Sequence, residues 1–254
     1  MLEKEPTLEE WRKLYQAAIR LKETAPWEWM YETDVFGVHN PETEELGFAS
    51  VMGMFEQHFA LALYIGPENL TRFWAMQESE DSENPEHLLE THQLQASFED
   101  RSELTNQDRK VITQLGLHFR GRKSWPLFRS FRPGYFPWYV EAAEVRFLTH
   151  AVEQAVEVAL RLKEDPDTLN TPADDCYLVR IPREEKNTLV WEDKTVTVLP
   201  ADSTPTPVPI DTEKLEELGR SLEAILLLKW TFFRFQHVLK RKAHGPSYLT
   251  LCCW

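Results

Sequence analysis

The segment Val35-Phe36-Gly37-Val38, then Asn40-Pro41-Glu42-Thr43-Glu44, then Leu46 to Met54 decides the fold class. An apolar run, a turn-forming cluster and a second apolar run spell a β-hairpin. Phe59-Ala60-Leu61-Ala62-Leu63-Tyr64-Ile65 adds a third strand, closed by Gly66-Pro67. Upstream, Thr7 and Glu10 have the three-residue spacing of a capping box. Trp11, Leu14, Tyr15, Ala18 and Leu21 then repeat at the interval of one helical face, and Pro26 ends that helix. Downstream, a helix begins near Pro67 with Leu70, Phe73, Trp74 and Gln77. Leu94, Ala96 and Phe98 alternate within a strand from His92 to Glu99, and Thr105 to Asp108 opens another helix. A long helix follows from Glu141 to Lys163, its apolar face running from Val145 to Leu162, and Asp165-Pro166 stops it. The expectation is an α+β domain over residues 1–165, with a small antiparallel sheet packed by several helices.

The second half is more broken. Cys176–Ile181, Thr188–Trp191 and Val196–Leu199 read as short strands within 166–199, assignable to a second module. Four prolines between Pro200 and Pro209 cannot continue a helix or sit inside a sheet, so 200–211 reads as a semi-rigid extended linker. Residues 212–254 read as a helix and terminal strand of a small or incomplete second domain.

Composition limits the function classes. The chain has 254 residues, of which 42% are hydrophobic, so it can bury a core. Its net charge of −14 argues against a general nucleic-acid coat. Three cysteines (Cys176, Cys252 and Cys253) do not make a disulfide scaffold and fit a reducing, cytoplasmic setting. No secretory signal is read at the N-terminus. The apolar stretch Leu222–Leu239 carries Glu223, Lys229 and Arg234 and reads as buried or amphipathic, not membrane-spanning. There is no phosphate-cradling glycine motif, no His-Glu-x-x-His and no Gly-x-Ser-x-Gly, which leans against an enzyme. No cofactor is indicated. His87, Glu90 and His92 lack the convergent spacing of a metal site, and none is assigned. The acidic run 78–90 reads as a solvated loop.

Three groups are candidates for acid–base work: Glu28 between Trp27 and Trp29, Asp34, and His58. The stronger signal is His118–Tyr139, HFRGRKSWPLFRSFRPGYFPWY, net +5 within an acidic chain. Its prolines and glycines predict an ordered, irregular loop. Arg120, Arg122, Lys123, Arg129 and Arg132, with Trp125, Tyr135 and Trp138, form a candidate site for an anionic small ligand or single-stranded nucleic acid. The competing reading packs the aromatics in the core and pairs the arginines with the chain's own carboxylates.

Trp11-x-x-Leu14-Tyr15-x-Ala17-Ala18, Ala25-Pro26-Trp27-Glu28-Trp29-Met30, Asp34-Val35-Phe36-Gly37-Val38 and Arg132-Pro133-Gly134-Tyr135-Phe136-Pro137-Trp138 together resemble a bacterial family of unknown function. The resemblance covers about residues 8–165. It implies a bacterial cytoplasmic protein with an N-terminal α+β domain, usually followed by a second uncharacterised domain, and carries over no activity or catalytic residue. The first functional expectation is a non-catalytic protein- or peptide-binding module. The alternatives are an anionic-ligand binder through 118–139, and an enzyme with a non-standard acid–base site.

Overall fold

A computed structural model describes residues 5–54, 58–78, 91–186 and 188–199. The acidic segment 79–90, the linker 200–211 and the module 212–254 lie outside the described residues.

Seven strands form one sheet in the order β5-β4-β3-β2-β1-β6-β7. They are β1 Phe36–His39, β2 Leu46–Met52, β3 Phe59–Ile65, β4 Gln93–Glu99, β5 Trp125–Phe131, β6 Cys176–Glu185 and β7 Thr188–Thr197. Among the described residues the α-helices are α1 Leu8–Thr24, α2 Pro67–Glu78, α3 Asn106–Gln114 and α4 Ala142–Glu164. All strand pairs are antiparallel except β1–β6. This is the α+β class that the hairpin predicts, with a larger sheet than expected. Among the described residues, no helix is long and apolar enough to cross a membrane.

Period-2 alternation divides the sheet's two faces. Phe36, Val38, Ala49, Val51, Leu61, Leu63, Leu94, Ala96 and Phe98 join one core with Leu14, Leu21, Leu148 and Val152 of α1 and α4. Phe48, Ala62 and Tyr64 face the other way, against Leu70 and Phe73 of α2. α1 starts with the predicted reciprocal cap: the Thr7 N–H donates to Glu10 Oε2 at 2.6 Å, and the Glu10 N–H donates to Thr7 Oγ1 at 3.2 Å. The Thr105–Asp108 pair caps α3 in the same way.

Two segments correct the sequence expectation. Residues 125–131 are a strand, not part of an irregular loop, and pair with β4 along its whole length. Proline is tolerated at position 126 because β5 lies at the sheet edge, where a missing N–H donor need cost no ladder bond. The stretch 176–197 forms two ten-residue strands in the same sheet as β1, where short strands were expected. The outer half of this hairpin is largely solvent-exposed, so its sequence lacks the alternating apolar pattern. It is held in part by ion pairs such as Arg183–Glu192 at 2.8 Å. Gly37 lets β6 approach β1: a Cβ there would meet Val179 Cγ2 at 2.7 Å.

Candidate functional site

The basic, aromatic segment divides into an anchored part and a displayed part. Arg129 reaches around the edge of β5 to Asp108 on α3, donating from Nη1 to Oδ1 at 3.0 Å and from Nη2 to Oδ2 at 2.7 Å. The two side chains are only 15% and 10% exposed. Burial alone would raise the Asp108 carboxyl. The Arg129 hydrogen bonds and charge, with the Thr105 hydroxyl and N–H, outweigh it and hold the carboxyl below its usual range. The Arg129 guanidinium also lies 4.9 Å from the centre of the Tyr139 ring. Arg132 donates to Glu141 at 3.2 Å and to Glu144 at 3.1 Å. Arg122 sits 3.7 Å from Asp100. The Lys123 N–H donates to the Asp100 carboxylate at 2.8 Å, and its ammonium lies 5.2 Å from the centre of the Phe59 ring. Arg120 is exposed. Trp125 is half-buried, edge-on to Phe119 with ring centres 5.7 Å apart.

The displayed part is the turn that follows β5. Tyr135 N–H donates to the Arg132 carbonyl at 3.0 Å, with Pro133 at the second turn position and Gly134 at φ +79° at the third. This is type II turn chemistry: proline pre-sets one φ, and glycine accepts the positive one. Ser130 and Trp138 exchange two backbone hydrogen bonds, both 2.9 Å, which close the loop. Glu144, in the first turn of α4, accepts from the Ser130 hydroxyl, Arg132 and the Glu141 N–H. The loop is therefore fixed at both ends. From it, Tyr135 and Trp138 are each 70% exposed and Phe136 is 56% exposed. The eight predicted residues thus separate: the structure gives internal carboxylate contacts to Arg122, Arg129 and Arg132, and leaves Tyr135 and Trp138 on the surface. Phe136 was missed, although its place between Tyr135 and Pro137 carried the signal.

Of the acid–base candidates, Glu28 is exposed while Trp27 buries and the Trp29 indole donates to the Ala159 carbonyl at 3.0 Å. Asp34 accepts from the Tyr31 N–H at 2.8 Å and closes a turn. Only His58 joins a polar group, 3.5 Å from Glu99 and 3.2 Å from Gln95. His92 is described, and burial lowers its pKa. His87 and Glu90 lie outside the described residues. Among the described residues no cluster of three metal-ligating side chains is present. A hollow of about 400 Å³ beside α4 is lined by residues that include Glu157, Arg161 and Trp191, and Glu157 and Arg161 are already engaged with Arg180 and Asp193.

The sequence profile of a domain of unknown function (DUF7309) matches residues 11–180. The chain belongs to this family. The match takes in α1–α4, apart from the first three residues of α1, together with β1–β5, the aromatic turn and the first half of β6, which lies beside β1. Neither the curated proteins nor the solved structures contain a significant match to this sequence.

Proposed function

We propose that the chain is a bacterial, cytoplasmic protein- or peptide-binding module whose contact surface is the Arg132–Trp138 turn. The observation that carries this reading is the exposure of Tyr135, Phe136 and Trp138 on a backbone fixed by the type II turn and the Ser130–Trp138 bridge. Exposed large aromatics leave apolar area in water that a partner can remove. Tyrosine and tryptophan are enriched among interface hot spots, the few residues whose truncation costs about 2 kcal/mol or more of binding. A pre-ordered loop saves the cost of fixing the backbone at the moment of binding. The anionic-ligand alternative has less support, because Arg122, Arg129 and Arg132 already face carboxylates of this chain.

Replacing Phe136 by the photo-crosslinker benzoylphenylalanine tests the reading in cells. One discrete adduct is expected, absent when the same group replaces the equally exposed Tyr31 and absent again with Trp138→Ala. Identical adducts from positions 31 and 136, or none from 136, would refute it.

A further inference from the structure

The sheet has two border strands, β5 and β7. The outer edge of β5 is partly closed by the Ser130–Trp138 bridge and by Arg129, which reaches around it to Asp108. The outer edge of β7 is open. This strand is ten residues long, pairs with β6 on one side, and among the described residues has no strand on the other. The β1–β6 pairing covers Val179 and Arg180 only, so the far part of the β6–β7 ribbon extends beyond β1. There Leu189 and Val190 are each 39% exposed. A two-stranded ribbon is marginally stable in water unless something packs on it. A long edge with outward N–H and C=O groups is also a template for another strand.

The charges of β7 decide which strand fits. Trp191 and Asp193 face α4, where Trp191 meets His150 and Asp193 meets Arg161. Val190, Glu192, Lys194 and Val196 therefore follow one another on the opposite face. In an antiparallel pair, residues whose backbone groups point to the shared edge meet each other, and such residues alternate along the strand. Two copies of β7 related by a two-fold axis must therefore centre on one residue that faces itself. Centred on Asp193, Glu192 faces Lys194 of the second copy and Val190 faces its Val196, and symmetry makes each contact twice. Asp193 then meets Asp193 of the second copy, with its charge already held by Arg161 and Arg180. Glu192 keeps its exposed pair with Arg183 within the ribbon. Centring on Glu192 or on Lys194 instead breaks both Glu192–Lys194 pairs and sets like charges face to face, which destabilises strand pairing.

We propose that β7 is a self-association edge, on which a second copy of this chain pairs antiparallel about Asp193 and joins the two seven-stranded sheets into one. The pairing gives backbone partners to the outward N–H and C=O groups of both strands and sets Val190 against Val196. The contact uses the same surface on both copies, so it closes at two and does not run on into a fibre. The aromatic turn follows β5, at the other border of the sheet, and takes no part.

Analytical ultracentrifugation of the full chain, from micromolar to submillimolar concentration, tests this. A reversible monomer–dimer equilibrium is expected. Glu192→Lys and Lys194→Glu are each expected to weaken it tenfold or more, because each sets like charges opposite one another twice. Mixed in equal amounts, the two variants are expected to form a heterodimer within threefold of the original affinity, since each supplies the charge the other lacks. A chain that stays monomeric throughout overturns the proposal and leaves the edge to a different polypeptide. So does a dimer that neither charge reversal weakens threefold, or a mixture no tighter than either variant alone when circular dichroism shows both folded. Hydrogen exchange of the unaltered chain across the same concentrations needs no variant. Amides of β7 are expected to exchange more slowly as the dimer forms, and unchanged exchange along β7 overturns the proposal.

Discussion

Arg129→Ala is expected to destabilise the protein by about 3–5 kcal/mol, the usual cost of removing one partner of a buried ion pair. The guanidinium makes two hydrogen bonds to Asp108, and both side chains are largely enclosed. Its removal strands a carboxylate whose remaining hydrogen bonds come from Thr105. For a domain of this size the loss corresponds to a fall in Tm of roughly 6–20 °C. Urea unfolding measures it, and a cost below about 1 kcal/mol would show that the pair contributes little. The double variant with Asp108→Ala is expected to recover part of the loss, because no charge is then left unpaired. Acid adds a second signature. The Asp108 carboxyl is depressed in the folded state. Its contribution is therefore fully present above the unfolded carboxylate value and is lost as pH falls through the folded one. Arg129→Ala is expected to flatten that part of the stability profile between about pH 4 and the acid limit of folding.

Arg180→Ala is the second large effect, about 3 kcal/mol. This side chain is 4% exposed on β6 and ties it to α4 and β7 at once. It donates to Gln154 at 2.8 Å, to Glu157 at 2.5 Å and to Asp193. Asp193 keeps a second partner in Arg161, and Glu157 is half-exposed, so solvent relieves part of the loss. What remains is the orphaned Gln154 amide and the space left beside α4. Arg180→Met fills that space without a charge and is expected to cost less than half as much, by thermal or urea unfolding. Equal losses for both substitutions would mean that the charge network, and not packing, dominates at this position.

The fold was legible where burial imposes a period. The hairpin from Val35, the strand Phe59–Ile65, the capping box at Thr7, the helix start at Thr105 and the α4 stripe all follow from spacing. The β6–β7 hairpin was only half legible, because charges such as Arg183 and Glu192 stabilise it where no core demands alternation. β5 was hidden by Pro126 and by Arg129, which leaves the sheet plane to find a carboxylate on α3. In the candidate surface, Arg132-Pro133-Gly134-Tyr135 read plainly as a turn, whereas the direction of each aromatic depended on tertiary packing: Phe128 turns inward and Trp138 outward. The contact of His58 with Glu99 was out of reach of spacing, since the two residues come from different segments of the chain.

Displayed aromatics and packed aromatics differ most directly in what their removal does to stability. Urea unfolding of the triple variant Tyr135→Ser, Phe136→Ser, Trp138→Ser, set against the unaltered chain, measures that difference. Side chains facing solvent contribute little to the folded state, so the two unfolding free energies are expected to agree within about 1 kcal/mol. A loss above about 3 kcal/mol would place the three rings in the architecture of the domain and contradict their role as a surface held ready for a partner.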